Sequence, residues 1–156
     1  DQIESAQYLK TLSFVDESRV GIWGWSFGGY LSSLSLFKGH GTFKMAMSVA
    51  PVTNWRYYDN VYTERFLQKP QDNPGGYDDN SPCFFAHDLD GAFLLVHGTG
   101  DDNVHFQNSM DLVTQLNKAG KQYDQFFYPN KNHFINGGNT RLHLYTKLTN
   151  FLFHNL

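Results

Sequence analysis

The segment running from Arg19 to Tyr30 constrains this chain more than any other. A short apolar run, Arg19-Val20-Gly21-Ile22-Trp23, ends in Gly24-Trp25-Ser26-Phe27-Gly28-Gly29-Tyr30 and gives way to residues with helical spacing. Gly-x-Ser-x-Gly between a strand and a helix is the pattern of a nucleophile elbow. The serine sits at the tip of a sharp, strained turn, and small residues on either side let the strand and helix backbones approach closely. The same turn aims the amide of Phe27 toward the site, where it can hold an oxyanion. A chain built around such a turn has to place a strand beneath it and a helix behind it.

The remaining segments supply that setting. Asp1 to about Leu12 reads as an amphipathic helix, with Ile3, Tyr8 and Leu9 among its apolar positions. Val20–Trp23 reads as a buried strand, Gly28 to about Phe37 as the helix after the elbow, and Lys44–Val49 as a second strand. Asn54–Phe66 reads as a helix crowded with aromatics, and Gln68–Pro82, rich in proline, glycine, Asp and Asn, as a surface loop. Phe93–Val96 is a third strand, and His105–Ala119 a helix that Gly120 can cap. Tyr123–Tyr128 is a fourth strand, halted by Pro129, and Thr140–Phe153 a last helix with Leu142, Tyr145, Leu148 and Leu152 at helical spacing. Strands alternating with helices predict an α/β fold, a mostly parallel sheet with helices on both faces.

A serine hydroxyl needs a base, and the base needs an acid to hold its tautomer. Behind an elbow the partners follow in the order Ser, Asp, His, on loops at the carboxyl ends of strands. After the third strand comes His97-Gly98-Thr99-Gly100-Asp101-Asp102-Asn103-Val104-His105, and after the fourth Pro129-Asn130-Lys131-Asn132-His133-Phe134. Ser26 is the candidate nucleophile and His133 the candidate base. Asp101 and Asp102 are both candidate acids, since an aspartate here can also cap the following helix. His97, at a strand end, reads as a maker of structural hydrogen bonds, and His40, His87 and His154 as loop or terminal residues. No carboxylate–histidine spacing of a zinc type joins His97 and His105, so no metal is expected. Trp55, Tyr58 and Tyr62 recur at helical spacing beyond Ala50-Pro51-Val52. They read either as a core stripe or as a box of rings for a compact apolar ligand.

Bulk properties narrow the classes further. The formal charge of −3 comes with no basic stripe, so nucleic acid is not an expected partner. No apolar run is long enough to cross a bilayer. The one cysteine, Cys83, cannot form an internal disulfide, which leaves the compartment open. A first residue other than methionine reads as a piece of a longer protein.

These residues closely resemble the dipeptidyl peptidase IV branch of the prolyl oligopeptidase family of serine peptidases. The matching stretches are Gly24 to Tyr30, Trp55 to Arg65 (WRYYDNVYTER) and His97 to Gln107 (HGTGDDNVHFQ), within a likeness that runs essentially end to end. Tyr77 to Pro82 and Gly138 to Arg141 resemble bacterial members of the Bacteroidetes type. The resemblance implies that residues 1–156 form the C-terminal part of an α/β-hydrolase catalytic domain. It places the rest of that domain and a β-propeller upstream.

By position, the resemblance implies Ser26 as nucleophile, His133 as base and then acid, and Asp101 rather than Asp102 as the orienting carboxylate. Phe27 supplies one oxyanion amide, and a tyrosine upstream of these residues supplies the other donor. Phe27, Val52, Trp55, Tyr58, Tyr62 and Val104 line a pocket for a proline ring, and Asn103 hydrogen-bonds a substrate carbonyl. The implied substrates are peptides with proline or alanine second, and no cofactor is implied. A homodimer through Phe106, Phe127 and His143 and a periplasmic or secreted location are implied too. Phe27 stands where tyrosine is usual, Phe134 where glycine or serine is commoner, and Met45 where animal members have a disulfide cysteine. The competing readings are a prolyl tripeptidyl peptidase, an acyl-peptide or ester hydrolase, and a catalytically silent scaffold acting through protein contacts.

Overall fold

The computed structural model describes residues 1–156. Strands β1 (Gly21–Trp25), β2 (Met45–Val49), β3 (Ala92–Gly98) and β4 (Asp124–Tyr128) form one parallel sheet in the order β1-β2-β3-β4. Helices α1 (Gln2–Lys10), α2 (Phe27–Lys38), α3 (Asn60–Leu67), α4 (Pro74–Asp78), α5 (Gln107–Lys118) and α6 (Thr140–Asn155) connect or follow the strands. A parallel pair cannot be joined by a tight turn, so each connection must cross a face of the sheet and cover it.

The two central strands are buried on both faces, which explains their nearly continuous apolar sequence. Ala46, Phe93 and Leu95 point to one side, where they pack with Leu36 and Phe37 of α2 and Leu112 and Leu116 of α5. Met45, Met47, Val49, Leu94 and Val96 point to the other, against Leu144, Leu148 and Phe151 of α6. Both faces of the central strands are thus covered, as the alternation of elements predicts. The edge strand β1, read from its sequence as buried, is only partly covered and leaves Trp23 half exposed.

Three expectations need correction. The aromatic segment is not one helix: a 3₁₀ turn at Trp55–Tyr57 and α3 are separated by Tyr58, whose backbone is extended. The break has a local cause, because the Asp59 side chain accepts the Tyr62 amide at 2.8 Å and starts a new helix. Gln68–Pro82 is not wholly a surface loop. Asn73 caps α4 through the Gly76 amide, Pro74 occupies the first turn, and Tyr77 is fully buried. In α6 the buried stripe is Leu144, Leu148 and Phe151, while Leu142 and Tyr145 are exposed; Tyr8 and Leu9 of α1 are exposed as well.

Candidate active site at the carboxyl edge of the sheet

The ladder of parallel hydrogen bonds continues past the strands and sets the heights of the loops. The Ser26 amide donates to Val49 O, the Ala50 amide to Val96 O and the Thr99 amide to Tyr128 O, each within 2.9 Å. Every candidate group therefore leaves the sheet at one rim.

Ser26 holds φ 59° and ψ −117°, a conformation that side-chain-bearing residues rarely adopt. The turn is tight enough that a Cβ on Gly24 would lie 2.2 Å from Gly28 O. Gly28 itself faces open space, and it is Gly29 whose Cβ would strike the next strand, 2.7 Å from Val49 O. The close approach expected at both ends of the motif thus rests on Gly24 and Gly29. Phe27 opens α2, so its amide belongs to the first-turn N–H groups that a helix leaves without an internal acceptor.

Asp101 and His133 come together from loops after β3 and β4, with His133 Nδ1 2.7 Å from Asp101 Oδ2. Both are buried. Asp102 is exposed and makes no such contact. Burial by itself would raise the Asp101 carboxyl. Hydrogen bonds from His133, His97 and the Asn103 amide, with the charge of His133, more than reverse this and hold it well below the usual carboxylate range. The Asp101 side chain does cap, but it caps its own turn, Oδ1 accepting the Asn103 and Val104 amides at 3.0 Å. The hydrogen bonds of His133 run to Asp101 and Trp25, and none reaches Ser26 Oγ. Such contacts commonly tighten only when substrate is present.

Sequence reasoning passed over the groups that brace the histidine loop. Trp25 Nε1–H donates to the His133 carbonyl at 2.9 Å, from the residue just before the candidate nucleophile. Arg141 donates to the Phe134 carbonyl at 3.0 Å and lies over the Trp25 ring. Gly98 is needed because a Cβ there would meet Lys131 O at 2.2 Å, and the two loops are knitted by Gly100 N–H to Lys131 O. The Phe134 ring turns outward, 59% exposed, so its bulk does not crowd the loop. The one signal in the sequence was a glycine, Gly98, at the very end of a strand.

The aromatic residues converge although no single helix carries them. Trp55 stacks on Tyr62 at 6.3 Å between centroids, Tyr58 meets both rings edge-on, and Phe27 lies 6.0 Å from Trp55. Val52 and Val104 are buried behind them with Tyr30 and Tyr77. A cleft of about 230 Å³ opens among Phe27, Tyr30, Trp55, Tyr62, Phe66 and Leu67. Val52, Tyr58 and Val104 back this cluster without lining that cleft. Asn103 is exposed, and its Oδ1 accepts the Tyr58 hydroxyl at 2.9 Å. Phe106 and Phe127 pack together 4.9 Å apart, while His143 lies across β4, its Nδ1 2.8 Å from the Tyr128 hydroxyl. No group of three or more Cys, His, Asp or Glu is placed to hold a metal. No helix is long and apolar enough to cross a membrane.

This arrangement has counterparts. The sequence profile of the Prolyl oligopeptidase family matches residues 1–156. The chain belongs to the prolyl oligopeptidase family. It is 45% identical over 155 residues to dipeptidyl-aminopeptidase B of Aspergillus niger, covering 97% of this chain and 17% of that protein. With dipeptidyl peptidase 4 of Felis catus the identity is 43% over 155 residues, covering 97% and 20%. The crystal structure of Porphyromonas gingivalis dipeptidyl peptidase 4 superposes with a TM-score of 0.98 at 51% identity, covering all of this chain and 22% of that one. The chain therefore spans about a fifth of the length of these prolyl oligopeptidase relatives.

Proposed function

We propose that this chain carries the nucleophile, base and acid of a serine exopeptidase that releases N-terminal dipeptides ending in proline or alanine. The observation that carries the reading is the 2.7 Å contact between Asp101 and His133 at the rim where Ser26 holds its strained turn. The relatives, dipeptidyl peptidases by name, support release of dipeptides, and the preference for proline or alanine rests on the resemblance. Ser26 Oγ attacks the carbonyl carbon of the second substrate residue while His133 Nε2 takes its proton. Asp101 keeps the other proton on Nδ1 and stabilises the imidazolium that forms. The Phe27 amide receives the developing oxyanion. His133 then gives its proton to the leaving amine, and water, activated by the same imidazole, hydrolyses the acyl-enzyme. A second oxyanion donor and the clamp for the substrate's amino group come, on the resemblance, from chain upstream of these residues.

The proline ring enters the cleft bounded by Phe27, Trp55 and Tyr62, backed by Val52, Tyr58 and Val104, while Asn103 Nδ2–H donates to a substrate carbonyl. Flat, stiff aromatic side chains suit a compact, stiff ring, because little side-chain freedom is lost on contact. The parent protein forms a homodimer through Phe127 of β4 together with Phe106, packed against it, and His143, packed against Phe126 and Tyr128.

The test is covalent labelling with a fluorophosphonate probe, followed by ranking of a proline dipeptide amide against a simple aryl ester on the longest form of the protein. Labelling at Ser26 that is lost in Ser26→Ala is expected, with preference for the proline amide. Absence of labelling in the unmodified protein would favour a silent scaffold. Preference for the ester, or for release of tripeptides, would move the assignment to another branch.

A further inference from the structure

His97 is fully buried at the end of β3, and the proposed reaction gives it no part. Its Nε2 faces two acceptors, Asp101 Oδ2 at 3.1 Å and the Val104 carbonyl at 2.9 Å. A nitrogen between two acceptors must carry the proton. Its Nδ1 lies 2.7 Å from Ser109 Oγ on α5, a hydroxyl that can donate. The ring therefore satisfies all its neighbours as a neutral imidazole protonated on Nε2, with no charge to bury. Phe106 closes the pocket edge-on, 5.6 Å away.

We infer that His97 is a positioning residue, a neutral N–H donor that fixes the Asp101 carboxylate which in turn orients His133. The inference rests on the serine-hydrolase reading above. A carboxylate has about four acceptor sites. Here Oδ1 takes the amides of Asn103 and Val104, and Oδ2 takes His133 Nδ1 and His97 Nε2. With every site filled, the carboxylate cannot rotate away from His133. The donor from His97 also spreads the negative charge of Oδ2, so the proton between the pair stays on the imidazole. Because the donor is neutral, it does this without repelling the imidazolium that forms during catalysis. Both tasks need a donor anchored from α5 as well as from β3, and the Ser109 contact provides it.

Few other charges bear on this network. Tyr58 reaches it from the aromatic turn through Asn103, and Lys131, on the histidine loop, turns its ammonium toward Gly137. Asp102 and His105 share the Asp101 loop and are exposed. Asp111 of α5 is engaged by Tyr57 and Gln115.

The experiment compares His97→Leu, which removes the donor, with His97→Gln, whose Nε2 can supply one at the same reach. The readout is the acid limb of the pH dependence of fluorophosphonate labelling, together with the ring titration of His133 by NMR. Loss of the donor makes Asp101 a stronger partner for the imidazolium. The limb then moves up by about 0.5–1 pH unit in His97→Leu, and labelling at the foot of the limb slows about three- to ten-fold. His97→Gln restores the unmodified profile. A limb unmoved in His97→Leu, or moved equally in both variants, would overturn the inference and leave His97 a packing residue. Should His97→Leu fail to fold, long-range proton–nitrogen spectra of the unmodified protein decide. His97 is expected protonated on Nε2, the nitrogen that faces two acceptors, and a ring protonated on Nδ1 would refute the role. If the unmodified protein is not labelled at all, the hydrolase reading fails, while the His133 titrations still decide what His97 does to its neighbours.

Discussion

Two glycines of one motif are expected to respond in opposite directions to the same substitution. In Gly24→Ala the new methyl would lie 2.2 Å from Gly28 O and 2.3 Å from Gly28 C, both backbone atoms at the root of α2. Carbon and oxygen need well over 3 Å, so the helix start must retreat by the better part of an ångström. It cannot do so freely. The Ser26 amide is tied to Val49 O at 2.8 Å, and Gly29 already sits at the limit of approach to the same carbonyl. Overpacking of this kind costs about 1–3 kcal/mol, and contact with backbone rather than a flexible side chain points to the upper end. In Gly28→Ala the methyl meets nothing within 4 Å. That residue lies in a helix, where alanine is favoured over glycine by roughly 0.5–1 kcal/mol. Urea unfolding of both variants, read as midpoint and slope against the unmodified chain, measures the pair. Gly24→Ala should unfold earlier and Gly28→Ala no earlier than the parent. Equal losses in the two variants would refute the reasoning, since they would show that the turn needs glycine for its backbone angles and not for the approach of two main chains.

Four further outcomes are expected, two from the structure and two from the proposed function. Asp101→Asn should lower stability at pH 7 by about 1–3 kcal/mol, the worth of charge-assisted hydrogen bonds. Because folding depresses the Asp101 carboxyl, its contribution is complete above about pH 4 and drains away as the pH falls below that value. The two urea midpoints should therefore converge on acidification, and parallel curves would contradict this. Cys83, whose thiol burial pushes up to about 12, should resist iodoacetamide at pH 8 in the folded chain and react after unfolding, as mass spectrometry would record. Tyr62→Ala removes the ring stacked on Trp55 and should slow proline amides about ten-fold more than unspecific aryl esters, whereas equal losses would mark the aromatic cluster as core alone. Sedimentation of the longest form of the protein should give a dimer that Phe127→Asp dissociates, and a monomer at micromolar concentration would exclude the proposed contact.

The strands were legible because a parallel strand buried on both faces must be written as an apolar run, and β2 and β3 are. The elbow was legible because Gly-x-Ser-x-Gly falls between an apolar run and residues at helical spacing, although of its two glycines only Gly24 is required by the close approach of main chains. The break before α3 could be read only by setting Asp59 as a cap against the stronger helical spacing of the rings on either side. Asn73-Pro74 carries the signature of a helix start, yet in a stretch rich in loop residues it was outweighed. The inward stripe of α6 could not be chosen from spacing, since Leu142 and Tyr145 make a second apolar set. Tyr145 borders a cleft of about 200 Å³ with Trp23, itself half exposed. At the site, periodicity has nothing to say about Trp25 reaching the His133 carbonyl or Ser109 reaching His97. Those contacts join residues distant along the chain and exist only once the loops are folded together.

The pairing of β2 with β3, Val49 opposite Val96, sets the geometry of the proposed reaction. Ser26 hangs from one side of that seam and Asp101 from the other. A slip of one residue would turn every side chain of a strand to the wrong face, and the core forbids it. A slip of two would keep the faces but shift Ser26, the candidate nucleophile, by about 6.6 Å along the strand relative to its proposed partners. What holds the strands in step is the fit of Met47, Leu94 and Leu95 among their neighbours, far from any substrate. Those side chains work as a gauge, and the spacing of the reacting atoms is read off it.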